Sequence, residues 1–139
     1  MNYKTISLAV ASTLALTALS AFAEGKMDPS KLPPASTKTG LTFATDIKPI
    51  FEKSCVKCHS GEKAKAKLHL DSLEGAIKGG KEGPDIIAGK ADKSPLVYAV
   101  AHAGDEDDFM PPPKNKANIG PLTKEQVGVI RAWIDQGAK

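Results

Sequence analysis

Cys55-Val56-Lys57-Cys58-His59 is the stretch that decides the interpretation of this 139-residue sequence, because it contains both cysteines of the chain beside a histidine. In a helical conformation Cys58 lies three residues and His59 four residues beyond Cys55, so both thiols and the imidazole project from nearly one face. Cys-x-x-Cys-His is also the pattern at which haem is attached covalently to proteins. The stretch therefore predicts two thioether bonds to a porphyrin edge, with His59 as an axial ligand of the iron.

Three other chemistries use cysteines at this spacing. A redox dithiol is expected within a βαβ pattern, and none is visible here. A tetrahedral zinc site needs a fourth ligand, for which the sequence offers only the scattered His69 and His102. A disulfide between Cys55 and Cys58 would close so small a loop that it would remove little chain entropy. Covalent haem is favoured over all three, because His59 follows at once and the chain begins with an export signal.

The first 23 residues have the organisation of a secretory signal peptide. Lys4 precedes an apolar stretch from Ile6 to Leu19, and Ala21-Phe22-Ala23 forms a small-x-small cleavage pattern. The apolar run is shorter than the roughly 20 residues that a membrane-spanning helix needs. We expect cleavage after Ala23, which would leave no transmembrane anchor. We also expect the periplasm as the location, because the c-type pattern implies haem attachment outside the inner membrane.

The rest of the chain divides by composition. Residues 24–40 are rich in Lys, Pro, Ser and Thr without apolar periodicity, which predicts a flexible linker. Residues 41–139 are expected to form one domain. The sequence has 19 basic and 16 acidic residues, and cleavage would remove only Lys4 from either set. This balance gives no indication of nucleic-acid binding.

Several short helices are predicted in residues 41–139, with no convincing pair of strands. The first covers Thr42–Ser54, with Thr45 or Asp46 as N-cap and Pro49 in its first turn. The later helices have recognisable ends, namely Ser72 before a helix that Gly79 stops, Ser94-Pro95 before a third, and a capping box from Thr123 to Gln126 before the last. The domain has few aromatic residues, so a buried haem would supply missing apolar surface. The predicted fold class is a small all-α domain wrapped around one covalent haem.

These features resemble a class I cytochrome c, and more narrowly the planctomycete-type cytochrome c domain. The resemblance covers residues 41–139 and is carried by these motifs: Pro49-Ile50-Phe51, Cys55 to His59, Leu70-Asp71-Ser72, Gly79-Gly80, Gly89-Lys90, Ser94-Pro95-Leu96, Met110-Pro111-Pro112 and Ile130-x-x-Trp133-Ile134. It implies one haem c and a function in electron transfer. It also implies that the second axial ligand of the iron is Met110.

The residues around Met110 favour the same ligand. Met110 is the only methionine in residues 41–139, and three prolines follow it, which restricts the loop that would present its thioether. Filling a gap in the core is the alternative role for this side chain. His102 and His69 compete as ligands and would give a bis-histidine haem of lower potential, but neither has a comparable loop. His102 can equally be stabilised by the dipole at a helix C-terminus.

The leading functional hypothesis is a periplasmic monohaem cytochrome that transfers single electrons between periplasmic or membrane-bound redox proteins. It needs no catalytic residues, so the protein is not expected to be an enzyme. The alternative is a haem enzyme or gas sensor, with a displaceable Met110 and peroxide, nitric oxide or carbon monoxide at the iron. In a third hypothesis the haem only stabilises the fold, and the surface of the domain binds another molecule. The acidic run Asp105–Asp108 is expected to be a solvated loop tip, and the alternative is that these acids lie near the haem, favour ferric iron and lower its potential. Arg131 and Lys90 are candidates for binding the haem propionates.

Overall fold

The computed structural model describes residues 27–139, so the predicted signal peptide lies outside the described residues. Within that range the α-helices are α1 (Lys48–Ser54), α2 (Leu73–Lys78), α3 (Pro95–Ala101) and α4 (Lys124–Asp135). Shorter helical turns occupy Pro29–Lys31, Phe43–Ile47, Lys65–Lys67, Ala91–Lys93 and Glu106–Asp108. The β pairing found in residues 27–139 is an isolated bridge between Gly80 and Gly83. The all-α fold class is therefore confirmed.

The first helical segment begins earlier than its predicted cap. Thr42 is the N-cap of a π-helical turn that continues directly into α1. The Thr42 hydroxyl accepts a hydrogen bond from the backbone N–H of Thr45 at 3.3 Å, and the Asp46 carboxylate accepts one from the backbone N–H of Thr42 at 3.0 Å. Thr45 and Asp46 thus complete the cap instead of forming it, because the extra turn moves the start of the helix toward the N-terminus.

The other predicted helix ends agree with the structure. The Ser72 hydroxyl accepts from the backbone N–H of Gly75 at the start of α2, and Thr123 and Gln126 form a reciprocal capping box at the start of α4. Ser94 precedes α3 but makes no capping bond. Its buried hydroxyl donates to the Lys90 carbonyl at 2.9 Å, which ties the preceding loop to α3.

The core lies between α4 and the first helical segment. Trp133 is fully buried, and the Phe43 ring packs between it and Phe51, with centroid distances of 6.0 and 6.1 Å. The Lys139 carbonyl accepts hydrogen bonds from the Trp133 indole and from the backbone N–H of Phe43, both at 2.9 Å. These contacts fix the end of the chain against the helix that leads into the cysteine motif.

Part of the predicted flexible linker packs against α4. Leu32 is only 8% exposed, the backbone N–H of Ser36 donates to the Gly128 carbonyl at 2.9 Å, and the Arg131 guanidinium donates to the Pro33 carbonyl. A Cβ at position 128 would lie 2.7 Å from the Pro34 carbonyl oxygen. The low apolar content of residues 24–40 gave no indication of this packing, because the segment is attached to α4 by a single leucine and by hydrogen bonds to its backbone.

Candidate functional site

The cysteine motif forms a turn that continues from α1. The backbone N–H of Cys55 donates to the Phe51 carbonyl at 2.7 Å, and the N–H groups of Cys58 and His59 both donate to the Cys55 carbonyl at 3.0 Å. Phe51 is fully buried in the core, while Cys55 and His59 are 8% and 7% exposed. The buried face of α1 therefore positions the two thiols and the imidazole through local backbone bonds.

The surroundings of the two cysteines argue against a redox dithiol and give no support to a zinc site. Both are free thiols. Burial raises the pKa of Cys55 to about 12, and the neighbouring Cys58 adds to the shift. A catalytic dithiol needs the opposite, a lowered pKa that maintains a thiolate. Within residues 27–139 no group of three or more His, Cys, Asp or Glu side chains is arranged to hold a metal ion, so the zinc alternative gains no support.

His59 has the properties that an axial imidazole requires. Its carbonyl accepts from the backbone N–H of Leu70 at 2.9 Å, which fixes the chain after the motif. Burial lowers the pKa of His59, opposed in part by the backbone of Lys65 and Leu68, so the neutral imidazole that can bind a metal is favoured. The buried Nδ1 has no hydrogen-bond partner of normal geometry among the described residues. A buried ring nitrogen that makes no hydrogen bond costs free energy unless another group binds to it.

The four predicted site residues line one cavity. Its volume is about 850 Å³, within the range of sites that hold small molecules and cofactors. Cys55, Cys58 and His59 reach it from the turn after α1, and Met110 reaches it from the loop after α3. Much of the remaining wall is apolar and includes Leu68, Leu70, Leu96, Tyr98 and Val100. Two free thiols, a buried imidazole and a thioether around an apolar space fit a covalently attached haem.

The loop that carries Met110 is held by three hydrogen bonds. The backbone N–H of Met110 donates to the Ala99 carbonyl at 3.0 Å. Nε2 of His102 lies 3.1 Å from the Pro111 carbonyl oxygen, and the Asn115 amide donates to the Pro112 carbonyl at 2.9 Å. The loop is therefore fixed on both sides of the methionine, and the Met110–Pro111 peptide bond is cis.

The competing histidines do not line this cavity. His69 is half-buried outside it, and His102 lines a separate pocket of about 380 Å³ beneath the proline loop. The acidic run is divided, since Asp105 and Asp108 line the cavity whereas Glu106 and Asp107 are exposed elsewhere.

The candidates for binding the propionates are also placed away from the cavity. Lys90 is exposed and does not line it. Arg131 donates to the Pro33 carbonyl, and its buried Nε has no partner among the described residues. The lysine that does line the cavity is Lys81. Its position could not be anticipated, because the turn that contains it is brought to the cavity by contacts distant in sequence.

Other residues at the site were missed by sequence reasoning. Met27, assigned to the linker, lines the cavity and is 37% exposed. Asp85 lines it too, its carboxylate accepts from the backbone N–H of Gly80 at 3.0 Å, and burial raises its pKa. Asn115 lines the cavity while holding the proline loop. Only Asn115 had a local signal, since asparagine side chains commonly bond to backbone groups in loops.

An all-α domain in which a Cys-x-x-Cys-His turn and a methionine line one largely apolar cavity has the features of c-type cytochromes. Comparison with known families agrees, because residues 55–114 match the family described as Planctomycete cytochrome C. No curated protein and no solved structure shows a significant match to the chain. The matched segment runs from the first cysteine of the motif past the prolines that follow Met110. The resemblance predicted from the sequence is thus confirmed, and the match indicates a haem-binding c-type cytochrome domain.

No helix in the described part of the chain has the length and apolar character needed to cross a membrane.

Proposed function

We propose that this protein is a periplasmic monohaem c-type cytochrome that transfers single electrons between redox proteins. Haem c would be attached through Cys55 and Cys58, with His59 and Met110 as the axial ligands. The observation that carries the proposal is the convergence of these four side chains, from two segments far apart in sequence, on one cavity of about 850 Å³. The family match over residues 55–114 supports it independently.

Each part of the site has a role that follows from its surroundings. The turn after α1 would hold both thiols in place for attachment, and burial lowers the pKa of His59, which favours the neutral imidazole that can bind a metal. The apolar part of the wall, which includes Leu68 and Leu70, would shield the bound haem from water on that side and so reduce the solvent reorganisation that accompanies a change of charge. When bound, haem supplies an iron that cycles between the ferrous and ferric states.

The constraint on Met110 favours electron transfer over the enzyme or gas-sensor alternative. A sensor or peroxidase needs an open or readily opened position at the iron. Here the backbone of Met110 and Pro111 is held by bonds to Ala99 and His102, so the loop cannot move away from the cavity as a unit without breaking these bonds. A constrained thioether ligand is the arrangement of electron-carrying cytochromes c.

The test is made on protein purified from the periplasm of a host that attaches haem c. Intact mass and a pyridine haemochrome assay should give one covalent haem per chain. The ferric protein should show the weak long-wavelength sulfur-to-iron band, and the reduced protein should bind carbon monoxide slowly. Rapid and complete carbon monoxide binding by the reduced protein would instead support the sensor or enzyme alternative, and absence of covalent haem would overturn the proposal.

A further inference from the structure

His102 has an unusual position at the end of α3. It is the C-cap residue and adopts the left-handed conformation, with φ 51° and ψ 43°. This conformation is uncommon for residues other than glycine, although histidine is among the types found there more often. The Ala99 carbonyl accepts from the backbone N–H of His102 at 3.3 Å and also from that of Met110 at 3.0 Å. One carbonyl at the end of α3 therefore joins His102 to the methionine loop.

The imidazole of His102 contacts the residues on both sides of Met110. Its ring is stacked on Phe109, with a centroid distance of 4.5 Å and an interplanar angle of 7°. Its Nε2 lies 3.1 Å from the Pro111 carbonyl oxygen. A carbonyl oxygen only accepts, so Nε2 carries the proton in this contact. A protonated Nε2 engaged with Pro111 cannot bind a metal.

The prolines explain why a side chain has to supply this bond. Pro111, Pro112 and Pro113 have no backbone N–H, so this part of the loop cannot donate a hydrogen bond to the rest of the domain. Its carbonyls can only accept, and donors must come from elsewhere. His102 provides the donor for Pro111, and Asn115 provides the donor for Pro112.

We propose that His102 is a positioning residue for Met110, holding the thioether in place by stacking on Phe109 and bonding to Pro111. This inference rests on the proposed function, in which Met110 is an axial ligand. It assigns to His102 a role different from that of a competing iron ligand or of a helix-dipole contact. Loss of the two contacts should loosen the loop around Met110, which would still be held through Ala99 and Asn115, while leaving haem attachment at Cys55 and Cys58 unaffected.

The test compares variants of the haem-loaded protein. His102→Asn keeps a residue type that tolerates the left-handed conformation, but its short amide does not span the distance covered by the imidazole. We expect carbon monoxide to bind the reduced variant about tenfold faster, the factor that corresponds to roughly one hydrogen bond, together with a weaker sulfur-to-iron band in the ferric form. The haemochrome yield should equal that of the parent. His102→Gln, whose amide reaches further, should recover part of the parental rate.

Two further variants make the result specific. His69→Asn is the same substitution at a histidine outside the cavity, and it should behave as the parent does. Phe109→Leu removes the stacking partner and should accelerate carbon monoxide binding without changing His102 itself. If His102→Asn does not fold, a parental rate in Phe109→Leu contradicts the proposal on its own.

The outcomes separate this inference from the function on which it rests. If the ferric parent lacks the sulfur-to-iron band, Met110 is not a ligand and both are overturned. If the parent has the band, but His102→Asn and Phe109→Leu both keep parental spectra and rates, only the positioning role of His102 fails. A parent with the band and variants that bind carbon monoxide faster support both.

Discussion

The two groups of proposed ligands are held in different ways. The backbone N–H groups of Cys55, Cys58 and His59 all donate to carbonyls three or four residues earlier, beginning with the Phe51 carbonyl in α1. Met110 is fixed by groups outside its own turn, namely the Ala99 carbonyl and the side chains of His102 and Asn115. On the proposed assignment, attachment of the cofactor would depend mainly on local structure, whereas ligation by Met110 would depend on tertiary contacts. The two properties should respond to different mutations.

The largest effect is expected from removing the two cysteines of the motif. The double variant with Cys55→Ala and Cys58→Ala should lose all covalent haem and leave little folded protein, because the attachment points and the filling of an 850 Å³ cavity are lost together. Haem staining after denaturing electrophoresis and far-ultraviolet circular dichroism measure the two losses. Lys57→Ala, at an exposed position within the same motif, is the control and should retain haem. Cooperative unfolding of a soluble, haem-free double variant would contradict the prediction.

The next largest effect is expected from replacing Met110 alone. Met110→Ala should keep covalent haem but open the iron, with rapid carbon monoxide binding and some peroxidase activity. Met110→His should remain six-coordinate with a lower midpoint potential, because a thioether stabilises ferrous iron better than an imidazole does. Visible spectra and potentiometric titration provide the measurements. If Met110→Ala loses covalent haem as well, attachment and ligation are not separable.

A smaller effect is expected from Leu32, which is buried in the segment attached to α4 and does not line the cavity. Leu32→Ala should lower the free energy of unfolding by roughly 2 kcal/mol, the low end for a buried leucine, because the site lies at the edge of the core. The iron spectrum should not change. Denaturant titration followed by tryptophan fluorescence gives the first value. The exposed Lys31→Ala serves as the neighbouring control, and equal stabilities of the two variants would show that residues 29–36 do not support the fold.

The smallest effect concerns Asp85 in the cavity wall. Burial raises the pKa of Asp85 in the folded state. The protonated side chain therefore contributes most to stability at a pH below the pKa of Asp85 in the unfolded chain. This contribution is lost as the pH rises through the pKa of Asp85 in the folded protein. Asp85→Asn, which can still accept from Gly80, should remove this loss and make the protein slightly more stable than the parent at neutral pH. Melting temperatures measured from pH 3 to 7 test the sign. A variant that is less stable than the parent at pH 7 contradicts it.

The same division explains what could be predicted from the sequence. The Cys-x-x-Cys-His turn, the Ser72 cap and the capping box of Thr123 and Gln126 depend on residues a few positions apart, and the structure agrees with the expected helix ends. The match over residues 55–114 likewise confirms the predicted resemblance to the planctomycete-type cytochrome c domain. Local patterns carry this information because the bonds they predict close within one helical turn.

The parts that could not be predicted depend on distant pairs. Nothing in the composition of residues 24–40 indicates that Leu32 is buried or that Met27 lines the cavity. Arg131 was expected near the propionates, but its guanidinium donates to the Pro33 carbonyl instead. His102 has an ordinary position in the sequence, and only the return of the chain past Ala99 places it against Phe109 and Pro111. Such pairs are set by tertiary packing, which propensity and periodicity do not encode.

Because Pro34 lies close to Gly128, a substitution at this glycine should affect the helix propensity of α4 and the stability of the protein differently. Glycine inside a helix is about 1 kcal/mol less favourable than alanine, so in an isolated peptide of α4 the change Gly128→Ala would increase helicity. In the intact protein the added Cβ would lie 2.7 Å from a backbone oxygen that no side-chain rotation can move. The same substitution should therefore have opposite signs in the peptide and in the protein, and the difference would measure how firmly residues 33–36 are attached to α4.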